Sequence, residues 1–232
     1  MIGNAPVVDI EALRFGYRGR PDLNLVAERF SLSAGETVLL QGESGSGKST
    51  LLSLIAGVLL PSSGVVRVLG ADWRAMGALA RDRWRADHIG FVFQQFNLLG
   101  WLPAIDNVEL GCAFSTRRAR RALASASSLA AAAAQWLEAM QLPRSRWHSP
   151  GAQLSIGEQQ RVAAARALIG APDLVLADEP TSALDERLRD AFLDALLAGC
   201  RQAGSALLIV SHDRALEARL PRVERLGALA GV

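Results

Sequence analysis

Apolar residues come in short unbroken runs along this chain, each ending at a turn or a polar cluster. Residues 89–93, 174–177 and 206–210 are apolar without alternation, and 37–41 has an apolar centre between Thr37 and Gln41. Runs of that length read as strands buried on both faces, the pattern of a mostly parallel sheet covered by helices. Residues 7–13, 29–32 and 65–68 read as further strands, with a turn-rich stretch at 16–22 and turns at 34–36 and 62–64. A helix is expected from residue 49 to 56, stopped by Gly57 and Pro61. From about residue 96 to 167 the pattern turns helical; residues 123–140 are rich in alanine, the strongest helix former. Residues 186–200 predict an amphipathic helix. The alternation of buried strand, loop and helix predicts an α/β fold, with no internal repeat.

Composition narrows the class. At 232 residues, half of them hydrophobic, the chain can bury a sizeable core as one domain. A net charge of +2 gives no basic field, so nucleic acid is not an expected partner. Cys112 and Cys200 are too few and too far apart for a disulfide framework or a zinc site, and are expected to be reduced and packed. Residues 1–9 lack the charged start and apolar stretch of a secretory leader. The apolar run 51–60 falls short of the roughly 20 residues a membrane span needs. Arg117, Arg118, Arg120 and Arg121 are expected on a solvated helix face, with an anion-binding patch as the alternative.

Lys48 is the one lysine among 25 cationic residues. It stands in Gly42-Glu43-Ser44-Gly45-Ser46-Gly47-Lys48-Ser49-Thr50, a complete G-x-x-x-x-G-K-[ST] phosphate loop between a predicted strand and a predicted helix. Glycines let successive backbone N–H groups surround phosphate oxygens, and the helix adds its positive dipole end. Lys48 is placed to reach the β- and γ-phosphates of ATP, and Ser49 to offer a hydroxyl to Mg²⁺. The apolar run 174–177 leads into Asp178 and Glu179. Asp178 suits Mg²⁺, and Glu179 suits a general base that polarises the attacking water. An acidic turn before Pro180 would read the same way on its own. Together the two halves make a P-loop NTPase.

Leu154-Ser155-Ile156-Gly157-Glu158-Gln159-Gln160-Arg161 decides the class, because it resembles the signature sequence of ABC-type ATPases. Ser155 and Glu158 also form an S-x-x-E capping box, so the segment opens a helix on either reading. The resemblance implies a P-loop fold of the ABC ATPase type across residues 1–232. It implies a small antiparallel β subdomain, and a helical subdomain at about 96–167 inserted between the Walker A and Walker B halves. It implies that Gln94 matches the Q-loop glutamine, which contacts metal and water. Ser182-Ala183-Leu184-Asp185 matches the D-loop at a dimer seam, and His212 the switch histidine at the γ-phosphate. Tyr17 resembles the aromatic that stacks on adenine, with Phe15 as the other candidate ring.

Residues 89–99 and 157–163 are similar to the exporter-like branch that includes lipoprotein-releasing and macrolide-efflux ATPases. The resemblance therefore implies a homodimer of ATPase subunits that binds ATP across its seam, hydrolyses it and drives separate transmembrane permease subunits. Membrane contact would come only through the permease, on the cytoplasmic face of the inner membrane. The alternative is an ABC ATPase driving a non-transport process, such as mechanotransmission to an extracytoplasmic enzyme, or work on DNA or ribosomes. One departure stands out: Ile156 replaces the first glycine of the signature, and a β-branched residue resists positive φ, but Gly157, the second glycine, is kept, so the change is expected to be tolerated.

Overall fold

The computed structural model describes residues 5–17, 20–43, 45–182 and 184–227. They fall into two compact units, residues 1–85 with 206–232, and residues 86–205.

In the first unit β1 (Val8–Tyr17) lies between β2 (Arg20–Leu32) and β4 (Ser63–Val68), and β5 (Ala71–Asp72) pairs with β4, all antiparallel. Val8, Ile10 and Leu13 of β1 are buried. The alternation skips a residue at Ala12, whose φ is 48°, where the register against β4 shifts. A parallel group places β3 (Thr37–Gln41) between β8 (Ala206–Ser211) and β9 (Val223–Arg225). Every residue of β8 and all but the first of β3 are buried, as the unbroken apolar runs require. The helix α1 (Lys48–Ile55) follows β3.

The second unit pairs β6 (Ile89–Val92) with β7 (Leu174–Asp178) in parallel. Between them lie α3 (Ala104–Ala113), α4 (Thr116–Leu123), α5 (Leu129–Ala139) and α6 (Ile156–Leu168), and α7 (Glu186–Ala203) follows β7. The helix α6 packs on α3, α5 and β6, and its Val162, Ala163, Ala164 and Ala165 are fully buried. Small side chains let these elements approach closely.

Four expectations change. The stretch at 16–22 is mostly strand, because Phe15 opposite Leu25 and Gly16 opposite Asn24 continue the hairpin. The alanine-rich stretch 123–140 is helical mainly over α5; α4 ends at Leu123, and residues 124–128 separate the two helices. Ser115 caps the first by accepting from the Arg118 N–H, and Ser128 caps the second by accepting from the Ala131 N–H. A helix went unforeseen at α2 (Ala78–His88), since only His88 is buried and no apolar stripe marks it. The arginine run is only partly a solvated face. Arg120 is exposed, but Arg117 and Arg121 pair with Asp173, and Arg118 is buried with its guanidinium on backbone carbonyls. Cys112 and Cys200 are free and buried; burial pushes both thiols up, Cys200 to about 12. Among the described residues no helix is long and apolar enough to cross a membrane.

Candidate nucleotide site

In the first unit the sequence-predicted phosphate loop joins β3 to α1. Gly47, the N-cap residue of α1, has φ 96°, a left-handed conformation that a side chain would strain. The Gly47 N-cap makes no side-chain cap bond, and amides at a helix start suit a phosphate oxygen. Lys48 is 7% exposed, and its Nζ donates to the carbonyls of Gly42 (2.7 Å) and Glu43 (2.8 Å). The loop therefore curls around the ammonium. Ser49 is exposed at the start of α1, and Thr50 meets the Tyr17 hydroxyl at 3.1 Å. Phe15 stands edge-on to the exposed Tyr17 ring, at 4.9 Å between centroids. Ser44 lies outside the described residues.

Gln41 and Ser211 are paired at the ends of β3 and β8, which sets the residues after each strand side by side. A cleft of about 720 Å³ follows, lined by Gln41, Gly42, Glu43, Ser46, His212, Arg214 and Arg225. His212 and the phosphate loop thus share one cavity. Arg214 and Arg225 were not foreseen. Their signal was lost in an arginine-rich composition, and β9, which carries Arg225, is too short for a periodicity to reveal.

In the second unit Gln94 is exposed just beyond β6. Phe91 and Phe93 stack before it at 4.2 Å. The turn after it puts Phe96 and Asn97 at φ 56° and 50°, and the Arg166 guanidinium of α6 donates to both their carbonyls. Asp178 ends β7, and Glu179 follows, 8% exposed with φ 45°. A left-handed glutamate costs on the order of 1–3 kcal/mol. The Ser182 N–H and hydroxyl both donate to its carbonyl, at 3.2 and 3.1 Å, and help hold the bend.

Ser155 caps α6, and the capping box is complete: its hydroxyl accepts from the Glu158 N–H, and the Glu158 carboxylate accepts from the Ser155 N–H at 2.8 Å. Arg146 also donates to Glu158, at 3.0 Å. Burial pushes this carboxyl up, but the Ser155 amide and Arg146 outweigh it and hold Glu158 below its ordinary value. Ser155, Ile156, Gly157, Glu158, Leu184 and Asp185 line one cleft of about 360 Å³, so signature and D-loop residues share a surface. Asp185 also caps α7, accepting from the Leu188 N–H at 3.0 Å. Ala183 lies outside the described residues. Ile156 is the first residue of α6 and has no positive φ, so branching costs little there, in keeping with a tolerated change, and its side chain is 55% exposed.

The donors suit magnesium. Among the described residues no group of three or more His, Cys, Asp or Glu side chains could hold a metal alone. Ser49 offers a hydroxyl in the first unit; Gln94 and Asp178 offer an amide oxygen and a carboxylate in the second. Such sparse, hard oxygen donors fit an ion that keeps waters and substrate phosphates in its shell.

Residues 26–182 match the family model described as ABC transporter. The chain is 47% identical over 192 residues to the "Uncharacterized ABC transporter ATP-binding protein YbbA" of Escherichia coli (strain K12), covering 83% of this chain and 81% of that protein. It is 41% identical over 223 residues to the "Lipoprotein-releasing system ATP-binding protein LolD" of Novosphingobium aromaticivorans, covering 95% and 96%. Among solved structures it resembles the "Dimeric structure of a post-hydrolysis state of the ATP-binding cassette MJ0796 bound to ADP and Pi", with a TM-score of 0.80, 31% identity, and coverage of 94% and 93%. The α/β fold with its phosphate loop is the one these cassettes share, and the chain belongs to the ATPases of the ABC transporter family.

Proposed function

We propose that this protein is the ATP-binding and ATP-hydrolysing subunit of a transporter, acting as a homodimer that drives a separate transmembrane permease. Residues 1–232 form one ATPase domain on this reading, with the helices at 96–167 as its helical subdomain. The observation that carries it is the division of chemistry within one chain. A phosphate loop and His212 line one cleft, and a capped Ser155 shares another with Asp185. Each half needs a complement, and two copies related by a two-fold axis supply it twice. The dimeric cassette bound to ADP and Pi, similar over nearly the whole chain, supports this reading.

The residues then divide the work. The phosphate-loop amides and Lys48 bind and orient the β- and γ-phosphates, and the ring of Tyr17 takes the adenine. Glu179 accepts a proton from the attacking water, its carboxylate fixed by the bent backbone beneath it. His212 donates to the γ-phosphate from the first cleft. Ser155 and the amides after it take the γ-phosphate carried by the partner copy. Ser49, Gln94 and Asp178 would be the oxygen donors to Mg²⁺, which would supply charge neutralisation at the β- and γ-phosphates. Phosphoryl transfer of this kind is mainly positioning and charge stabilisation.

A permease partner is supported by the surface beside Gln94. Phe93 and Phe114, the latter 83% exposed, line a cleft of about 200 Å³ with Phe91 and Leu110. Aromatic side chains at a small cleft suit an apolar anchor from a protein partner. The protein would lie against the cytoplasmic face of the membrane, held there by that partner.

The test is Glu179→Gln. The amide keeps the size of the side chain but cannot take the proton, so ATP binding should persist while turnover falls by about 10²–10⁴. Dimers holding ATP should accumulate in gel filtration. Turnover at the wild-type rate in this variant removes Glu179 from its role.

A further inference from the structure

Arg118 is 4% exposed and meets no carboxylate among its recorded partners. Its Nε donates to the Ile169 carbonyl at 2.9 Å, and its Nη2 to Ile169 (2.6 Å), Ala167 (2.7 Å) and Arg166 (3.2 Å). Its Nη1 reaches the Ile89 carbonyl at 3.4 Å. Those acceptors are the free carbonyls at the C-terminal end of α6, where the helix dipole is negative, together with the first residue of β6. Gly170 makes the approach possible: a Cβ there would lie 2.6 Å from both the Arg118 Cβ and its carbonyl oxygen.

The two elements that Arg118 joins carry site residues at their far ends. The helix α6 begins at the Ser155 cap, and β6 runs toward Gln94. Arg166, whose carbonyl Arg118 holds, sends its own guanidinium to the Phe96 and Asn97 carbonyls just after Gln94. One buried cation thus fixes the end of the signature helix, the start of the Q-loop strand and the residue that pins the Q-loop turn.

We propose that Arg118 is a positioning residue for ATP hydrolysis, setting the signature helix and the Gln94 loop in register with one another. The proposal rests on the reading that Ser155 meets the partner's nucleotide. The lever is long: thirteen residues of α6 span about 20 Å. A tilt of about 5° at the Arg118 end displaces Ser155 by about 2 Å, and misplacement by about 1 Å can cost around 10²-fold in rate. The phosphate loop belongs to the other compact unit and supplies none of the residues of this network, so nucleotide affinity is expected to stay.

The test is Arg118→Gln in the full-length protein, with kcat and KM for ATP, nucleotide affinity and melting temperature measured together. A fall in kcat of about 10- to 100-fold with affinity unchanged is expected. The same substitution in a Ser155→Ala background should cost little more, since both act through one helix end. If Arg118→Gln lowers expression or melts before assay, Arg118→Lys keeps the charge while reaching fewer carbonyls, and should show a smaller kcat loss with the same non-additivity. A folded variant with wild-type kcat overturns the proposal, and so does a loss that simply adds to that of Ser155→Ala. A wild-type protein that hydrolyses no ATP sinks the parent reading instead.

Discussion

Ser155 holds two roles that one substitution can separate. As the N-cap of α6 its hydroxyl accepts from the Glu158 N–H, and removing a cap of this kind costs about 1 kcal/mol. For a chain of this size that is a shift in melting temperature of about 2–4 °C, too small to depopulate the folded state. As an anion site it would meet the γ-phosphate of the partner's nucleotide. Aspartate caps helices about as well as serine, so Ser155→Asp should melt within a few degrees of wild type. Its carboxylate, however, would stand against phosphate. Two unit charges about 4 Å apart at an effective dielectric of about 20 repel by about 4 kcal/mol, a factor of about 10³ in closing the dimer. Thermal melts, phosphate release and ATP-dependent dimerisation by light scattering read the two roles independently. Stability should be kept, nucleotide affinity of the isolated subunit kept, and turnover with dimerisation lost by at least 10²-fold. Wild-type turnover in Ser155→Asp would leave the signature as a helix start and nothing more.

Lys48→Ala should weaken nucleotide affinity by about 10²-fold or more, because a buried ammonium is the loop's one full positive charge, and fluorescent-nucleotide titration checks it. Unaltered affinity would refute the loop assignment. Burial pushes the Asp173 carboxyl up, but the His88 hydrogen bond and the Arg117 and Arg121 charges outweigh it and hold the group below its ordinary 3.8. A depressed carboxyl stabilises the fold above its unfolded-state value, and that contribution fades as pH falls through the folded one. Asp173→Asn should therefore melt lower than wild type at pH 7, by about 1 kcal/mol because solvent screens part of the network, with the gap closing below about pH 4. A gap that stays constant with pH would show that the charge is not what Asp173 supplies.

What could be read from the sequence divides by the distance over which each role is set. The phosphate loop is nine consecutive residues, so Lys48 could be placed from its immediate neighbours, and the buried runs in β3, β7 and β8 announce themselves by composition alone. Arg118 is the opposite case. It sits in a run with Arg117, Arg120 and Arg121, and nothing local separates it from them. Its acceptors at Arg166, Ala167 and Ile169 lie about fifty positions away, and only the fold brings them within reach. A charged residue in a charged run is therefore weak evidence for exposure whenever an uncapped helix end can bury it.

Ile156 shows how a local motif explains why an unusual residue is tolerated. The Ser155…Glu158 spacing already marks the start of a helix, and a capping box makes the next residue the first helical one. A first helical residue has negative φ, where branching is tolerated and the side chain points outward. The capping box thus gives a local reason for the tolerance that the retained Gly157 already led one to expect. The amides that follow Ser155 keep their direction whatever side chain Ile156 carries. What the isoleucine changes is the lip of the cleft it shares with Leu184, where an exposed apolar group now stands beside the proposed phosphate site. Ile156→Gly should therefore leave the anion site intact and alter only how closely a second copy can approach it.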